Sequence, residues 1–398
     1  MHIKPDTLAM TVMLAFMTAL GPLATDLYLP SLPHIGAELG AAPAAVQLTL
    51  SAYLIGFSAG QIFYGPISDA VGRKPVLLAA FGIFLLATVA CAAAVSIDML
   101  IAARVAQAFG GAGPIILART MVRDLYEGPR AGRELSMMGS IMGVTPVIAP
   151  IFGGFLQVAF GWRASFVAMA LAALGLVVIA ALLLPETIRS KQTGGLSPAA
   201  IWRSYAIVLR NPTYRVYVGL LALSYAGLFA FISASSFVMQ GVYGLGEVAF
   251  GAAFAVCSAS FVVGTLIGTR LVSRKGFDRT IAVGVLLLAV GGVGQFLGVI
   301  LFPGVLAALI APEMLFFAGI GLVLPQAMAG AMSPFPDRAG AASSLAGFVQ
   351  MVFASISGAV IGLFVNGSAM PLVVASALAG LGALALFHIA KRLRRRAA

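Results

Sequence analysis

Apolar runs of about 20 residues follow one another along the whole of this 398-residue chain. A helix of about 20 residues, rising roughly 1.5 Å per residue, crosses about 30 Å of hydrocarbon. Only 9% of the residues are charged, whereas soluble domains average about 25%. The chain is therefore predicted to be an integral membrane protein. The twelve predicted spans are residues 8–29, 44–67, 75–95, 99–121, 135–158, 164–184, 214–239, 248–272, 280–302, 306–329, 339–365 and 369–390.

The basic residues predict the direction of the spans. If the N-terminus is cytoplasmic, 22 of the 24 Lys and Arg residues fall in inner loops or at the inner ends of spans, as the positive-inside rule requires. The exceptions are Arg163, in an outer loop, and Arg104, within a span. The net charge of +11 therefore indicates membrane topology and argues against a nucleic-acid-binding surface. Both termini are predicted to be cytoplasmic.

A polar stretch at residues 187–213 separates the sixth span from the seventh. It predicts a six-helix bundle at 1–186, a cytoplasmic linker at 187–213 and a second six-helix bundle at 214–398. Ser-Pro at 197–198, followed by mixed apolar and basic residues, predicts a short helix to residue 209 that lies on the inner membrane surface. Cys91 and Cys257 both lie in apolar runs, so no disulfide framework is expected.

Two ionisable residues lie within the predicted spans of the first half. Asp26 is about 16 residues, or roughly 24 Å, into the first span, and Arg104 is roughly 8 Å into the fourth from the opposite direction. Both therefore lie in the outer third of the bilayer. Ionisable residues inside a membrane usually face the interior of the bundle and pair with one another. Asp26 and Arg104 are predicted to flank one cavity, directly or through water, with Asp26 exchanging a proton.

Aromatic and methionine side chains are candidates for lining such a cavity, because they adapt to ligands of varied shape. In a chain with 26 Phe and 16 Met, most of these residues belong to the core or face lipid. The cavity candidates beside Asp26 and Arg104 are Tyr53, Phe57, Met138, Met142, Tyr225, Phe229, Phe231, Phe254 and Phe348. Glu313, in the tenth predicted span, is left open between a buried site and the outer edge.

The connection at residues 65–75, GPISDAVGRKP, carries the most specific pattern in the chain. Its glycines permit a tight connection, and its charges stand in a loop too short to be a domain. Such charges are expected to latch one half against the other through a salt bridge and a facing helix N-terminus. The latch candidates are Gly65, Asp69, Gly72, Arg73, Lys74, Arg123 and Asp124, with Asp124 as the partner of Arg73.

This connection resembles the signature loop of the major facilitator superfamily. LIAARVAQAFGGA at 100–112 is similar to the fourth-span motif of that superfamily, and GSIMGVTPVIAPIFGG at 139–154 resembles its antiporter motif. Prolines and glycines in that motif give a pliable, closely packed seam. Residues 19–33 and 119–126 look like the bicyclomycin/chloramphenicol (Bcr/CflA-type) branch. The antiporter-motif residues are Gly143, Pro146, Pro150, Gly153 and Gly154.

The resemblance implies an all-α fold of twelve transmembrane helices in two six-helix bundles. It implies a monomeric antiporter of the bacterial inner membrane that exports drug-like amphipathic compounds in exchange for protons, without a cofactor or metal. A metabolite exporter, for an amino acid or a sugar, is the first alternative, although few Asn or Gln residues lie mid-span. A membrane-embedded enzyme is a remote alternative, because the three histidines do not cluster. A phosphate-binding loop is missing from the sequence, which argues against ATP-driven pumping.

Overall fold

The computed structural model describes residues 3, 7–126, 128–188, 198–335, 338–364 and 367–397. Helices make up this part of the chain, and no strand occurs in it. The helices are α1 (Leu8–Asp26), α2 (Leu32–Glu38), α3 (Pro43–Val71), α4 (Arg73–Ala92), α5 (Ile97–Leu125), α6 (Gly128–Phe160), α7 (Arg163–Leu183), α8 (Pro198–Arg210), α9 (Pro212–Ser236), α10 (Glu247–Leu301), α11 (Leu306–Met332), α12 (Ala339–Phe364) and α13 (Met370–Ala397). A 3₁₀ turn (Leu29–Ser31) precedes α2, and a π-helical turn (Phe237–Val242) follows α9.

Within the described residues, eleven helical stretches are long and apolar enough to cross a membrane. One of them, α10, has 55 residues and contains Gly276 in a non-helical conformation, with φ of 76°. A continuous helix of that length would extend about 80 Å, far more than the roughly 30 Å of hydrocarbon. Since the backbone breaks near its middle, α10 supplies two crossings. The predicted all-α membrane fold is confirmed, and the twelve predicted crossings follow from this break.

The described residues form two compact units. The first unit contains the described residues up to Ala41 and from Ala52 to Ile188, and the second contains Ala42–Ser51 and the described residues from Pro198 onward. The start of α3 is thus grouped with the second unit: Ser233 donates a hydrogen bond to Gln47 (3.4 Å), and Ser355 donates to the Ser51 carbonyl (3.1 Å). The predicted bundles at 1–186 and 214–398 stay a prediction.

Glycines allow the helices of each unit to pack closely, as is usual in membranes. In the first unit a Cβ on Gly110 of α5 would lie 2.4 Å from the Phe84 nitrogen of α4. In the second unit a Cβ on Gly321 of α11 would lie 2.4 Å from the Phe261 carbonyl oxygen of α10. A side chain at either position would force the two helices apart.

The linker contains the predicted helix, α8, which runs one residue further than expected, to Arg210. This helix belongs to the second unit and packs on α9 and α12; Val208 is buried, whereas Trp202 is 76% exposed. The next helix starts at once, because the Asn211 side chain accepts a hydrogen bond from the Tyr214 nitrogen (3.1 Å) and Pro212 occupies the first turn. The location of α8 on the membrane surface stays a prediction.

Arg163, one of the two exceptions among the basic residues, joins a group of hydrogen-bonded side chains at the end of the first unit that the sequence predicts to lie outside. Glu38 accepts hydrogen bonds from Trp162 Nε1 (2.8 Å) and from Arg163, which also donates to the Ala94 carbonyl (3.0 Å). The hydrogen bond from Arg163 holds the pKa of Glu38 below its usual value. Because both charged side chains are more than a third exposed, the pair adds well under about 1 kcal/mol of stability.

Candidate functional site

The first unit contains a buried arginine cluster built around Arg104 of α5. Arg104 is fully buried, and its Nη1 donates to the Ala24 carbonyl of α1 (2.9 Å) and to Gln107 Oε1 (2.5 Å). Gln107 Nε2 donates in turn to Thr88 Oγ1 on α4 (2.8 Å). This chain of hydrogen bonds joins α1, α4 and α5 at one level of the unit.

Two tyrosines enclose the guanidinium of Arg104. Its central carbon lies 4.5 Å from the ring centre of Tyr28 and 4.3 Å from that of Tyr53, distances typical of cation–π contacts. Phe57 stacks on Tyr53 with ring centres 6.3 Å apart. The aromatic rings stabilise the buried charge, but they offer no acceptor to Arg104 Nε and Nη2. Among the described residues these two nitrogens have no hydrogen-bond partner.

Asp26 ends α1 and is buried, with 3% of its surface exposed. Its Oδ1 accepts a hydrogen bond from Thr25 Oγ1 (3.0 Å). In the described part of the chain no ion pair joins Asp26 to Arg104, although Arg104 binds the carbonyl of Ala24, two residues earlier. The basic group thus has two spare donors and contacts the backbone two residues before a buried acid that has no cation partner in this part of the chain. A shared cavity for Asp26 and Arg104 stays a prediction.

The antiporter-motif helix, α6, packs directly behind Asp26. A Cβ on Gly153 would lie 1.8 Å from the carbonyl oxygen of Leu27, the residue that follows Asp26. Pro146 and Pro150 lie inside α6, and Gly154 is buried while Gly143 is half-buried. Gly153 thus lies in the α1–α6 contact and sets how near the two helices come beside the residue that follows Asp26.

The predicted cavity residues separate into groups. Tyr53 and Phe57 belong to the arginine cluster, and Met138 and Met142 lie on α6, buried and half-buried. In the second unit Phe254 packs between Phe231 and Phe250 with ring centres 5.5 and 6.0 Å apart. The remaining candidates of that unit are Phe229, which is buried, and Tyr225 and Phe348, which are half-buried.

An apolar groove of about 330 Å³ lies elsewhere in the second unit, along α9 and α12. Tyr214, Arg215 and Phe353 are among its lining residues, and the predicted cavity residues are not. A drug-binding role for those predicted residues stays a prediction.

The latch candidates gather at the junction of α3 and α4. Arg73 donates to Asp69 Oδ1 (2.5 Å), to Ser68 Oγ (2.6 Å) and, through Nε, to Asp124 Oδ2 at the end of α5 (3.0 Å). These contacts lie within the first unit. Lys74 contributes to this cluster through its backbone nitrogen, which donates to Glu186. Arg123 is exposed. A role for the cluster in latching the two halves together stays a prediction.

The two glycines of this pattern differ in the structure. Gly72 alone separates α3 from α4, and its φ of 126° lies in the region that favours glycine. Gly65 is inside α3, where a Cβ would meet no atom within 4 Å. The expectation that Gly65 belongs to a tight loop was wrong, because α3 continues through Pro66 to Val71. Asp69 therefore stands one turn before Arg73 rather than in a loop.

Sequence reasoning missed Glu186, which completes this cluster. Glu186 follows α7, and its carboxylate accepts from the backbone nitrogens of Arg73 (3.0 Å) and Lys74 (3.2 Å), the first two residues of α4. A carboxylate suits this position because a helix N-terminus has unpaired N–H groups and a partial positive charge. The sequence signal was weak: a lone acidic residue at the start of a polar linker, more than 100 positions from its partners.

Replacing Glu186 by alanine is expected to lower the free energy of unfolding by about 1 kcal/mol, the usual loss for a helix cap. The two nitrogens at the start of α4 lose their acceptor, whereas Glu186→Gln retains one acceptor oxygen and should lose less. Thermal unfolding of the purified protein, followed by tryptophan fluorescence, measures the difference. Asp98→Ala, at an exposed residue in the first turn of α5, is the control. Equal stability of Glu186→Ala and the control would contradict the capping role.

Comparison with known proteins decides the family. A family model described as Major Facilitator Superfamily matches residues 14–359. The chain belongs to the major facilitator superfamily. An uncharacterized MFS-type transporter, YdgK of Bacillus subtilis, is 32% identical, covering 97% of this chain and 96% of its own. Multidrug resistance protein D of Escherichia coli is also 32% identical, over 86% and 85% of the two chains.

A bicyclomycin resistance protein homolog of Haemophilus influenzae is 28% identical and covers 94% of this chain and 93% of its own. Among solved structures, a bacterial homolog of the human lysosomal transporter Spinster, inward-facing and occupied, covers 98% of both chains. Its TM-score is 0.76 at 16% identity, so this likeness concerns the fold alone. The predicted superfamily is confirmed, and these relatives agree with the predicted resemblance to the bicyclomycin/chloramphenicol branch.

Proposed function

We propose that this major facilitator protein exports drug-like amphipathic compounds in exchange for protons. The observation that carries the proposal is a buried acid without a cation partner at the end of α1, where a buried arginine with two spare donors binds the carbonyl two residues earlier. Relatives of 28–32% identity are named for resistance to drugs, which supports the export of such compounds. The protein is proposed to act as a monomer in the bacterial inner membrane, with both termini cytoplasmic.

The proposed coupling uses the contacts of Asp26 and Arg104. With a proton bound, Asp26 is neutral and its hydrogen bond with Thr25 suffices. After the proton leaves, the carboxylate needs a charged donor, because an isolated charge inside a membrane is expensive. The spare Nε and Nη2 of Arg104, or a cationic or polar drug, can supply that donor. Drug and proton then exclude one another at Asp26, and each crosses the membrane only in exchange for the other.

Purified protein in liposomes tests this function directly. A pH gradient is imposed, and drug movement and internal pH are recorded together for a phenicol, bicyclomycin, a lipophilic cation, an amino acid and a sugar. We expect at least one of the first three to move against its gradient while protons move the opposite way, and no movement of the last two. Exchange of the amino acid or the sugar alone would favour a metabolite exporter. Drug movement without proton movement would refute the coupling.

A further inference from the structure

A second buried acid lies in the second unit, outside the site described above. Glu313 on α11 and Gln295 on α10 are both 0% exposed. Gln295 Nε2 donates to Glu313 Oε2 and to the carbonyl of Leu309 (3.3 Å). Since a backbone carbonyl can only accept, the contact with Leu309 fixes which end of the Gln295 amide is the nitrogen. The Gln295 oxygen therefore faces away from that bond and needs a donor of its own.

The side chains of Glu313 and Gln295 have more hydrogen-bond acceptors than donors within reach. Glu313 Oε1 and Gln295 Oε1 are buried acceptors, and neither has a hydrogen-bond partner among the described residues. Buried polar atoms are normally paired, so two orphan acceptors in adjacent side chains require an explanation. An added proton on Glu313 turns one of its oxygens into a donor. It therefore removes one of the two unsatisfied acceptors.

The surroundings of Glu313 favour the neutral acid. No cation forms an ion pair with it in the described part of the chain. The helices packed against α11 are α9, α10 and α12. On α10 the titratable neighbour is the buried thiol of Cys257, and α12 contains no titratable residue. The titratable side chains of α9 are Arg215, in its first turn, and Tyr214, Tyr217 and Tyr225.

The position of Glu313 matches that of Arg104 in the first unit. Each is the eighth residue of its helix, counted from Leu306 of α11 and from Ile97 of α5. Each also binds a buried glutamine, Gln295 in one case and Gln107 in the other. The same place in the two units thus holds an ionisable group, a permanent cation in the first and a titratable acid in the second.

We propose that Glu313 and Gln295 form a proton-binding site, occupied in the state that the structure represents. The proton resides on Glu313, and Gln295 positions the carboxyl by donating from Nε2. This site is separate from Asp26 and does not depend on the proposed efflux function. A negative infrared result for Glu313 would not contradict the efflux function, and a negative transport assay would not contradict proton binding at Glu313.

Infrared difference spectroscopy of the full chain in liposomes tests the site, through the carbonyl stretch of protonated carboxylic acids at neutral pH. We expect a band in the wild type and the loss of one carboxyl's intensity in Glu313→Gln, which has the same shape. Asp98→Asn, at an exposed acid, is the matched control and should keep the band. An unchanged spectrum in Glu313→Gln would overturn the proposal.

A second variant tests the role of Gln295. Gln295→Leu should keep the intensity of the Glu313 band but shift it to higher frequency, because the carbonyl loses the hydrogen bond from Nε2. A band with neither shift nor loss would exclude Gln295 from the site. The spectra are repeated with sodium replaced by a bulky organic cation. A Glu313 band that changes with sodium would show a metal-cation site instead of a proton site and would also overturn the proposal.

Discussion

Replacing Asp26 by asparagine is expected to abolish drug efflux driven by a proton gradient, while the protein remains folded in the membrane. Asparagine keeps the size of the side chain and can still accept the hydrogen bond from Thr25, but it cannot bind and release a proton. The initial rate of efflux in liposomes should fall by more than about tenfold, equivalent to about 1.4 kcal/mol. Downhill movement of the drug along its own gradient is expected to persist.

Two further variants sharpen the Asp26 test. Asp26→Glu keeps a titratable group and should retain part of the pH-driven rate, and Asp98→Asn should match the wild type because that acid is exposed. Proton movement is recorded in the same liposomes with a trapped pH-sensitive dye. Efflux of every substrate at the wild-type rate in Asp26→Asn, with protons still moving, would contradict the proposed exchange at this residue.

Replacing Arg104 by methionine is expected to abolish pH-driven efflux with only a small change in stability. The variant loses charge-assisted hydrogen bonds, each worth about 1.5–3 kcal/mol, and cation–π contacts worth about 2 kcal/mol when desolvated. It also avoids burying a cation that has two unpartnered nitrogens, a penalty of several kcal/mol. Because these terms oppose each other, the free energy of unfolding should change by less than about 2 kcal/mol, within the range of ordinary mutations.

Arg104→Lys separates charge from geometry at this position. Lysine keeps the positive charge but lacks the planar guanidinium that lies between Tyr28 and Tyr53 and has donors to spare. We therefore expect low efflux in both variants, measured in liposomes beside thermal unfolding of the same preparations. Wild-type efflux in Arg104→Met would show that the arginine is a structural strut, whereas wild-type efflux in Arg104→Lys would show that charge alone suffices.

The fold was largely predictable because membrane crossing leaves a long, simple signal in a sequence. Runs of about 20 apolar residues and one-sided basic loops follow from the thickness and electrostatics of a bilayer. The single long helix α10 shows the limit of this reasoning. Hydropathy predicts two separate spans here, but the chain is helical on both sides of Gly276, so that the helical hydrogen bonds continue almost without interruption.

The sequence predicts the depth of the candidate site but not its contacts. Counting helical rise predicts the same level for Asp26 and Arg104, because rise per residue is constant, and the hydrogen bond from Arg104 to the Ala24 carbonyl agrees with that level. The sequence did not indicate that the guanidinium binds the Ala24 carbonyl and lies between Tyr28 and Tyr53. Those contacts depend on how three helices rotate about their axes, and each hydrophobic face of these spans looks alike in an apolar sequence.

Single charged residues outside the motifs were the hardest to interpret. Glu186 and Glu313 both stand alone in sequence, and their partners are 113 and 18 positions away. Two polar residues stand at the start of α5, Ser96 and Asp98, and the cap is Ser96, whose side chain accepts from the Met99 nitrogen (3.2 Å). Short polar side chains at this position compete closely, and only the backbone geometry distinguishes them.

Because Gly153 lies so close to Leu27, the size of the residue at position 153 determines where the end of α1, and with it Asp26, can lie. No methyl group fits between α6 and the peptide that follows Asp26. Alanine, serine and valine at this position would therefore displace the end of α1 by increasing amounts, without altering any charged or titratable group. Such a series of side-chain volumes would vary how closely α1 and α6 pack beside Asp26 while leaving every titratable group unchanged.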